Sequence, residues 1–207
     1  DYFFKNQKYV LNHFSNFVNN FNDIKDSTVI NVMNYHGIKP IDNILDNTFS
    51  NNIMLQSSNL DKFPFIFFDN DSNNAVIKKG NYIISSNLII PENINFTIDA
   101  GVNLKLINSA SILSYSSINL NGKADDIITV TTTPDSRSSV IIVYTDNVSI
   151  IQHTNFKNLS YPSSMGSLIT GSVTFYEANV NINNCTFQSN LLTDDSLNIV
   201  RSQFTLS

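Results

Sequence analysis

The sequence predicts an all-β fold: a right-handed parallel β-helix, that is, a solenoid of short strands, preceded by a mixed N-terminal cap or linker containing a short helix. Three observations carry the prediction. From Phe63 onward the chain is a succession of short apolar alternations, each bounded by Asn, Ser, Gly, Asp or Pro, with no helical period. That is the pattern of many strands joined by tight turns. Asn makes up about 16% of the chain and Ser about 13%, and both suit turns, because their short polar side chains bond nearby backbone and Asn tolerates the left-handed region. Finally, a unit of two apolar residues flanking a small polar one, followed by a Phe, recurs in the second half. Units that cannot bury their own apolar face must stack on their neighbours.

Residues 1–60 read as the cap or linker. Val10, Phe14, Phe17, Val18 and Phe21 fall at helical spacing, so Tyr9 to Phe21 is expected to form a short amphipathic helix. Thr28 to Val32 is a β-branched run and reads as a strand, with Gly37 and Pro40 as breaks after it. Residues 42–60 show no clear period.

Residues 61–207 read as the β-helix. Strands are expected at Phe65–Phe68, Ala75–Ile77, Tyr82–Ile84, Leu88–Ile90, Ile94–Ile98, Val102–Ile107 and Ile112–Leu113. More are expected at Ile118–Leu120, Ile127–Val130, Val140–Tyr144, Val148–Ile151, Val173–Tyr176, Val180–Ile182 and Leu197–Val200. The repeat suggests how they stack. Val180-Asn181-Ile182 is followed by Phe187, and Leu197-Asn198-Ile199 by Phe204, at the same step of seven residues. Val148-Ser149-Ile150 is followed by Phe156 after eight, so one extra residue is expected there. Alternation puts Val180 and Ile182 on one face and Asn181 on the other. The expected stacking is Val180 over Leu197, Phe187 over Phe204 and Asn181 over Asn198. An inserted loop around Tyr161–Gly166 would lengthen the preceding coil. Successive coils are expected to be right-handed.

Composition narrows the function. The net charge is -5 with only 12 Lys+Arg, and no basic cluster exceeds Lys78-Lys79, so binding of nucleic acid through phosphate neutralisation is not expected. Cys185 is alone, which excludes an internal disulfide framework and a Cys/His zinc box. No apolar run approaches the length of a membrane-spanning helix. The chain begins at Asp1 and stops inside what reads as a strand, so a longer polypeptide with upstream or downstream domains is expected.

Several stretches resemble a known family. They are Phe63-Pro64-Phe65, Gly80-Asn81-Tyr82, Leu88-Ile89-Ile90-Pro91, Ala100-Gly101-Val102 and, most specifically, Gly171-Ser172-Val173-Thr174-Phe175-Tyr176-Glu177 and Asp194 through Ser202. On these, residues 63–207 resemble the right-handed parallel β-helix region of bacterial proteins that carry a CotH-type, spore-coat kinase-like domain. The resemblance implies a pectate-lyase-like superfamily fold, further coils beyond this chain, and an extracellular or cell-surface location. Its wider relatives include polysaccharide-active enzymes. No glycine-rich phosphate loop or kinase catalytic-loop pattern occurs, so any kinase chemistry would lie outside this chain.

Candidate chemistry is sparse. Asp194 and Asp195, adjacent at a turn, are the foremost candidates. They suit a Ca²⁺ site, which needs several oxygen ligands. With Glu177 they also suit a paired-carboxylate hydrolase site, if stacking brings them within about 5–10 Å. The structural alternative is a turn cap before Leu197, with Arg201 pairing one of them. Asp69-Asn70-Asp71-Ser72-Asn73 imitates an EF-hand opening but has Asn74 and Gly80 where Gly and Glu are needed, so a solvated turn is expected. His153, in an outward-looking part of a strand, and His13 and His36 form no metal constellation. Cys185 reads as a small buried apolar residue. Only Thr129-Val130-Thr131 fits an ice-binding ladder, and it does not recur at coil spacing. The functional expectation is a non-catalytic scaffold or binding module of a secreted or surface protein, facing polysaccharide or cell-envelope glycan. The alternatives are a polysaccharide lyase or glycoside hydrolase with part of its site in missing coils, and a docking module for a linked CotH-like kinase domain.

Overall fold

The computed structural model describes the backbone of Asn31–Asn34 and Gly37–Pro40, and residues 57–69, 71–162, 169–189 and 193–207. The chain divides into two compact units, Asp1–Phe49 and Ser50–Ser207. In the first, β1 (Asn31–Asn34) pairs antiparallel with β2 (Gly37–Pro40). Gly37 and Pro40 therefore bound a strand instead of breaking the chain. Pro40 lacks an N–H, which a two-stranded sheet tolerates at a strand end. Of the expected strand Thr28–Val32, the described part is Asn31 and Val32, and both belong to β1. The expected helix Tyr9–Phe21, His13 and His36 lie outside the described residues.

The second unit is nearly all β, and its sheets are parallel. A 3-10 turn, Leu60–Lys62, precedes β3 (Ile66–Asp69) and β4 (Asn74–Ile77). There follow β5 (Gly80–Ile84), β6 (Leu88–Ile90), β7 (Asn95–Asp99), β8 (Val102–Leu106), β9 (Ile112–Ser114), β10 (Ile118–Asn121) and β11 (Ile128–Thr132). The chain continues through β12 (Val140–Gln152), β13 (Thr154–Leu159), β14 (Gly171–Asn183), β15 (Thr186–Ser189), β16 (Asp195–Val200) and β17 (Phe204–Leu206).

These strands build three parallel ladders, visited in turn. The first is β6-β9-β12-β14-β16. The second is β4-β7-β10-β12-β14-β17, and the third β5-β8-β11-β13-β15. The 13-residue strands β12 and β14 run through the first two ladders, which joins them into one ten-stranded sheet. The step to the next strand of a ladder varies, from 21 residues between Asn74 and Asn95 to 33 between Val140 and Val173. Parallel strands cannot be joined by a hairpin and need a crossover of this kind.

Period-2 alternation sends one residue in two inward, and the parallel register stacks like on like. Ile77, Ile98, Leu120, Ile151 and Ile182 form one buried column. Tyr82, Leu104, Val130, Phe156 and Phe187 form a second column, buried in its middle and half-buried at Tyr82 and Phe187, in which the last two rings stack at 5.0 Å. Full burial of one such side chain contributes roughly 1.5–3 kcal/mol. In the first ladder β6 and β9 are buried on both faces, which is why Leu88-Ile89-Ile90 and Ile112-Leu113 read as apolar runs without alternation. At the start of the second ladder, β3 pairs antiparallel with β4 and covers its edge.

The columns exist, but several expected partners differ. Val180 pairs with Phe204, and Leu197 pairs with Val173, so the true step is 24 residues and not 17. Phe187 stacks on Phe156, not Phe204, and Asn181 pairs with Thr205, not Asn198. A step of 17 links two different ladders of successive repeats, which happen to share a pattern. The unit Val180-Asn181-Ile182 pairs with Ser149-Ile150-Ile151, one residue later than its apolar pattern implies. No extra residue follows the unit, since Ser149 to Phe156 is again seven; β12 instead carries two surplus residues upstream, in the bulge between Thr145 and Ser149. Val148 and Ile150 are consequently exposed, and Ser149 takes the core position, where its Oγ accepts the Ile118 N–H at 3.1 Å. The strands β13 and β15 are not among those expected, and β13 buries Thr154, Phe156 and Leu159 while exposing Lys157; β17, at the chain's end where a strand is expected, is exposed along its length.

Ser116 and Ser202 repeat the Ser149 device at the same corner. Their Oγ atoms accept the N–H groups of Ile94 (2.9 Å) and Ala178 (2.9 Å) in the preceding repeat. The high Ser content thus serves buried corners as well as turns. Two substitutions test the register. Ser149→Ala leaves the buried Ile118 N–H without its acceptor and should cost about 1–3 kcal/mol in a urea melt. Val148→Ser, which would empty a core site in the sequence-based register, should change stability by less than about 0.5 kcal/mol.

Candidate binding cleft

At the corner between the first and second ladders, the chain turns at different lengths in successive repeats. Pro91–Ile94 links β6 to β7, Tyr115–Ser117 links β9 to β10, and the bulge of β12 spans Thr145–Ser149. Between these turns lies a cleft of about 620 Å³, within the size range of small-ligand sites. Its floor is held by Ser116, whose Oγ donates to the Pro91 carbonyl at 2.6 Å. Ser114 Oγ donates to the Ser116 carbonyl at 2.6 Å. Thr145 Oγ1 donates to the Asn147 carbonyl at 2.8 Å and fixes the bulge. The walls carry Tyr115 and Tyr144, the carboxylates Glu92 and Asp146, and carboxamides including Asn93 and Asn147.

The backbone at this corner is strained. Tyr144, Glu177 and Arg201 follow Val143, Tyr176 and Val200, which are aligned across three strands, and all three have positive φ (52°, 49° and 53°). For side chains other than Gly or Asn this costs roughly 1–2 kcal/mol each. Neighbouring contacts offset it. Tyr144 packs edge-on against Tyr176 at 5.6 Å, and Arg201 binds Glu177 at 3.0 Å. Burial raises the Tyr144 phenol above its usual range, with Tyr176 and Glu177 adding to the effect. Burial likewise raises Tyr176, and Glu177 adds to this, against an opposing effect of Arg201. The hydrogen bond to Glu177 raises the Arg201 guanidinium.

The candidates from sequence lie elsewhere. Asp195 is the first residue of β16 and pairs with Gly171, and Asp194 sits exposed in the bend before it. Glu177 follows six residues after Gly171 along β14, roughly 20 Å away at about 3.3 Å per residue. The three carboxylates are therefore not brought together, and Arg201 pairs with Glu177 and not with the Asp pair as expected. Thr193 Oγ1 donates to the Thr170 carbonyl at 2.8 Å and ties this bend to the preceding repeat. Among the described residues no group of three His, Cys, Asp or Glu could hold a metal ion, and no helix is long and apolar enough to cross a membrane.

The segment resembling an EF-hand opening is the hairpin turn between β3 and β4. Asp69 accepts the Ser72 hydroxyl at 2.6 Å and the Asp71 N–H at 3.1 Å, and these bonds, the hydroxyl first, hold its carboxyl below the usual range. His153 is not in an outward strand position but at a corner with φ of 42°, half-buried. Cys185 is half-buried against the core, and its thiol donates to the Asn183 carbonyl at 3.2 Å. Burial raises its pKa.

Glu92, Tyr115, Tyr144 and Asp146 went unnoticed in the sequence because they belong to three turns in three repeats. The pairing of Ile90 with Ser114, and of Ser114 with Ile142, is what aligns those turns. No protein-family model, curated protein or solved structure matches this chain. The resemblance to CotH-associated β-helices therefore rests on the residues quoted for it alone.

The raised phenols set an alkaline limit. A neutral phenol favoured in the folded state supports stability fully below the unfolded Tyr pKa near 10, and this support is lost as pH rises through the raised folded value. In an ultraviolet titration Tyr144→Phe and Tyr176→Phe should each remove a phenol that ionises above the usual tyrosine range. The unfolding midpoint should begin to fall above about pH 10.

Proposed function

We propose that the second unit is a right-handed parallel β-helix that serves as a binding module, with the corner cleft holding a segment of glycan chain. The carrying observation is the lining of that cleft. Two tyrosine rings offer flat apolar faces, while carboxylates, carboxamides and serine hydroxyls supply hydrogen-bonding groups of both senses. A polyhydroxylated ligand matches this mixture, since its ring faces are apolar and its edges polar. The three ladders, visited in constant order and joined by parallel register, support the helical path. Parallel crossovers are overwhelmingly right-handed. A glycan ligand implies a location outside the cell or at its surface. Membership among CotH-associated β-helices is part of the same proposal.

A second reading, a glycoside hydrolase, draws on one observation: two carboxylates, Glu92 and Asp146, line a single cleft. The two readings separate in one experiment. The protein is titrated calorimetrically with neutral, cationic and anionic soluble oligosaccharides, and the mixtures are assayed for new reducing ends. Binding without cleavage, weakened at least about fivefold (roughly 1 kcal/mol) by Tyr144→Ala, is the expected result. Cleavage abolished by Glu92→Gln would establish the hydrolase. No binding to any of these chains would overturn both.

A further inference from the structure

We infer that the corner cleft selects an amine-bearing glycan, a chain of amino sugars with free ammonium groups, over neutral or uronic-acid chains. The inference rests on the glycan-binding reading and adds the charge of the ligand. Among the described residues that line the cleft, the formally charged side chains are Glu92 and Asp146, one from each of two turns. Both are exposed and accessible. The whole chain carries a net charge of -5, which favours approach of a cation.

The rings strengthen the case. Tyr115 and Tyr144 line the same space as the two carboxylates. An ammonium group is attracted both to a carboxylate, through a charge-assisted hydrogen bond, and to the face of a tyrosine. A uronate would meet two like charges there. A fully acetylated chain would stack on the rings but leave both carboxylates without a counter-ion. Arg201, on the same corner, is bound to Glu177 and is not part of the lining. Carboxamides from three successive repeats, Asn93, Asn119 and Asn147, extend the polar lining beyond what a single ammonium would use, and this favours a sugar chain over a bare polyamine.

The test is calorimetric titration of the full chain with a chitosan hexamer, its fully N-acetylated counterpart, a hexagalacturonate and spermine, at a pH where the amines are protonated and the carboxylates ionised. The chitosan hexamer should bind about tenfold tighter than the acetylated one, the equivalent of one well-placed charge contact. Raising salt from about 50 to about 500 mM should shrink that preference, because these groups are exposed and screened. The double variant Glu92→Gln/Asp146→Asn, with unfolding midpoint and circular dichroism spectrum retained, should bring chitosan down to the affinity of the acetylated chain. Equal affinity for the two hexamers, or a preference that survives in the double variant, would overturn the inference and leave the glycan-binding reading standing. Spermine binding as tightly as chitosan would overturn the amino-sugar identity. Failure of every saccharide would remove the binding reading itself.

Discussion

In the second unit a strand finds its backbone partners almost entirely in the repeats before and after it. The N–H and C=O groups of β8 are answered by β5 and β11, those of β10 by β7 and β12. Buried backbone groups must be paired, so the register between residues 21 to 33 apart in sequence holds everything else in place. Like side chains stack because of it, and the apolar columns are its by-product as much as its cause. Where the chain leaves a ladder to turn, the backbone bonds lapse and side chains replace them. Ser116, Ser149 and Ser202 do this at one corner, each receiving an N–H from the repeat before.

The cleft follows from the same requirement. Strands in a ladder lie about 4.8 Å apart whatever the length of the repeat, so surplus residues must leave the ladder at a corner. In β12 they leave as the bulge between Thr145 and Ser149. That bulge, beside the shorter turns at Pro91 and Tyr115, makes a concave surface. The left-handed backbone at Tyr144, Glu177 and Arg201 belongs to the same corner. Asn is the usual occupant of such positions. Their bulky or charged side chains are held by a ring contact and an ion pair, which shows that side chains, not only turns, are being positioned there.

The ionic contacts are modest by comparison. The pair Arg201–Glu177 is roughly half exposed on both sides, and such pairs contribute about 0–1 kcal/mol. Lys78–Asp99 is similarly exposed, and Lys79–Asp126 is exposed on its lysine side. Stability resides in columns such as Ile77 to Ile182 and in satisfied buried hydroxyls such as Ser111 and Ser139, which bond each other at 3.1 Å.

Local pattern alone determined the all-β class, most strand positions and the stacking of like on like. These depend on period-2 alternation and turn chemistry, which are properties of neighbouring residues. Partner identity was not local. Leu197-Asn198-Ile199 and Val180-Asn181-Ile182 look like copies of one unit, yet they belong to different ladders, because three strands per repeat share one alternating pattern. The sequence Val148-Ser149-Ile150 invited the wrong residue into the core, since a buried serine with a backbone partner looks no different in sequence from an exposed one. The cleft needed the tertiary structure most. Glu92, Tyr115 and Asp146 share no motif and no fixed spacing, and they meet only because inter-repeat hydrogen bonds align turns of unequal length.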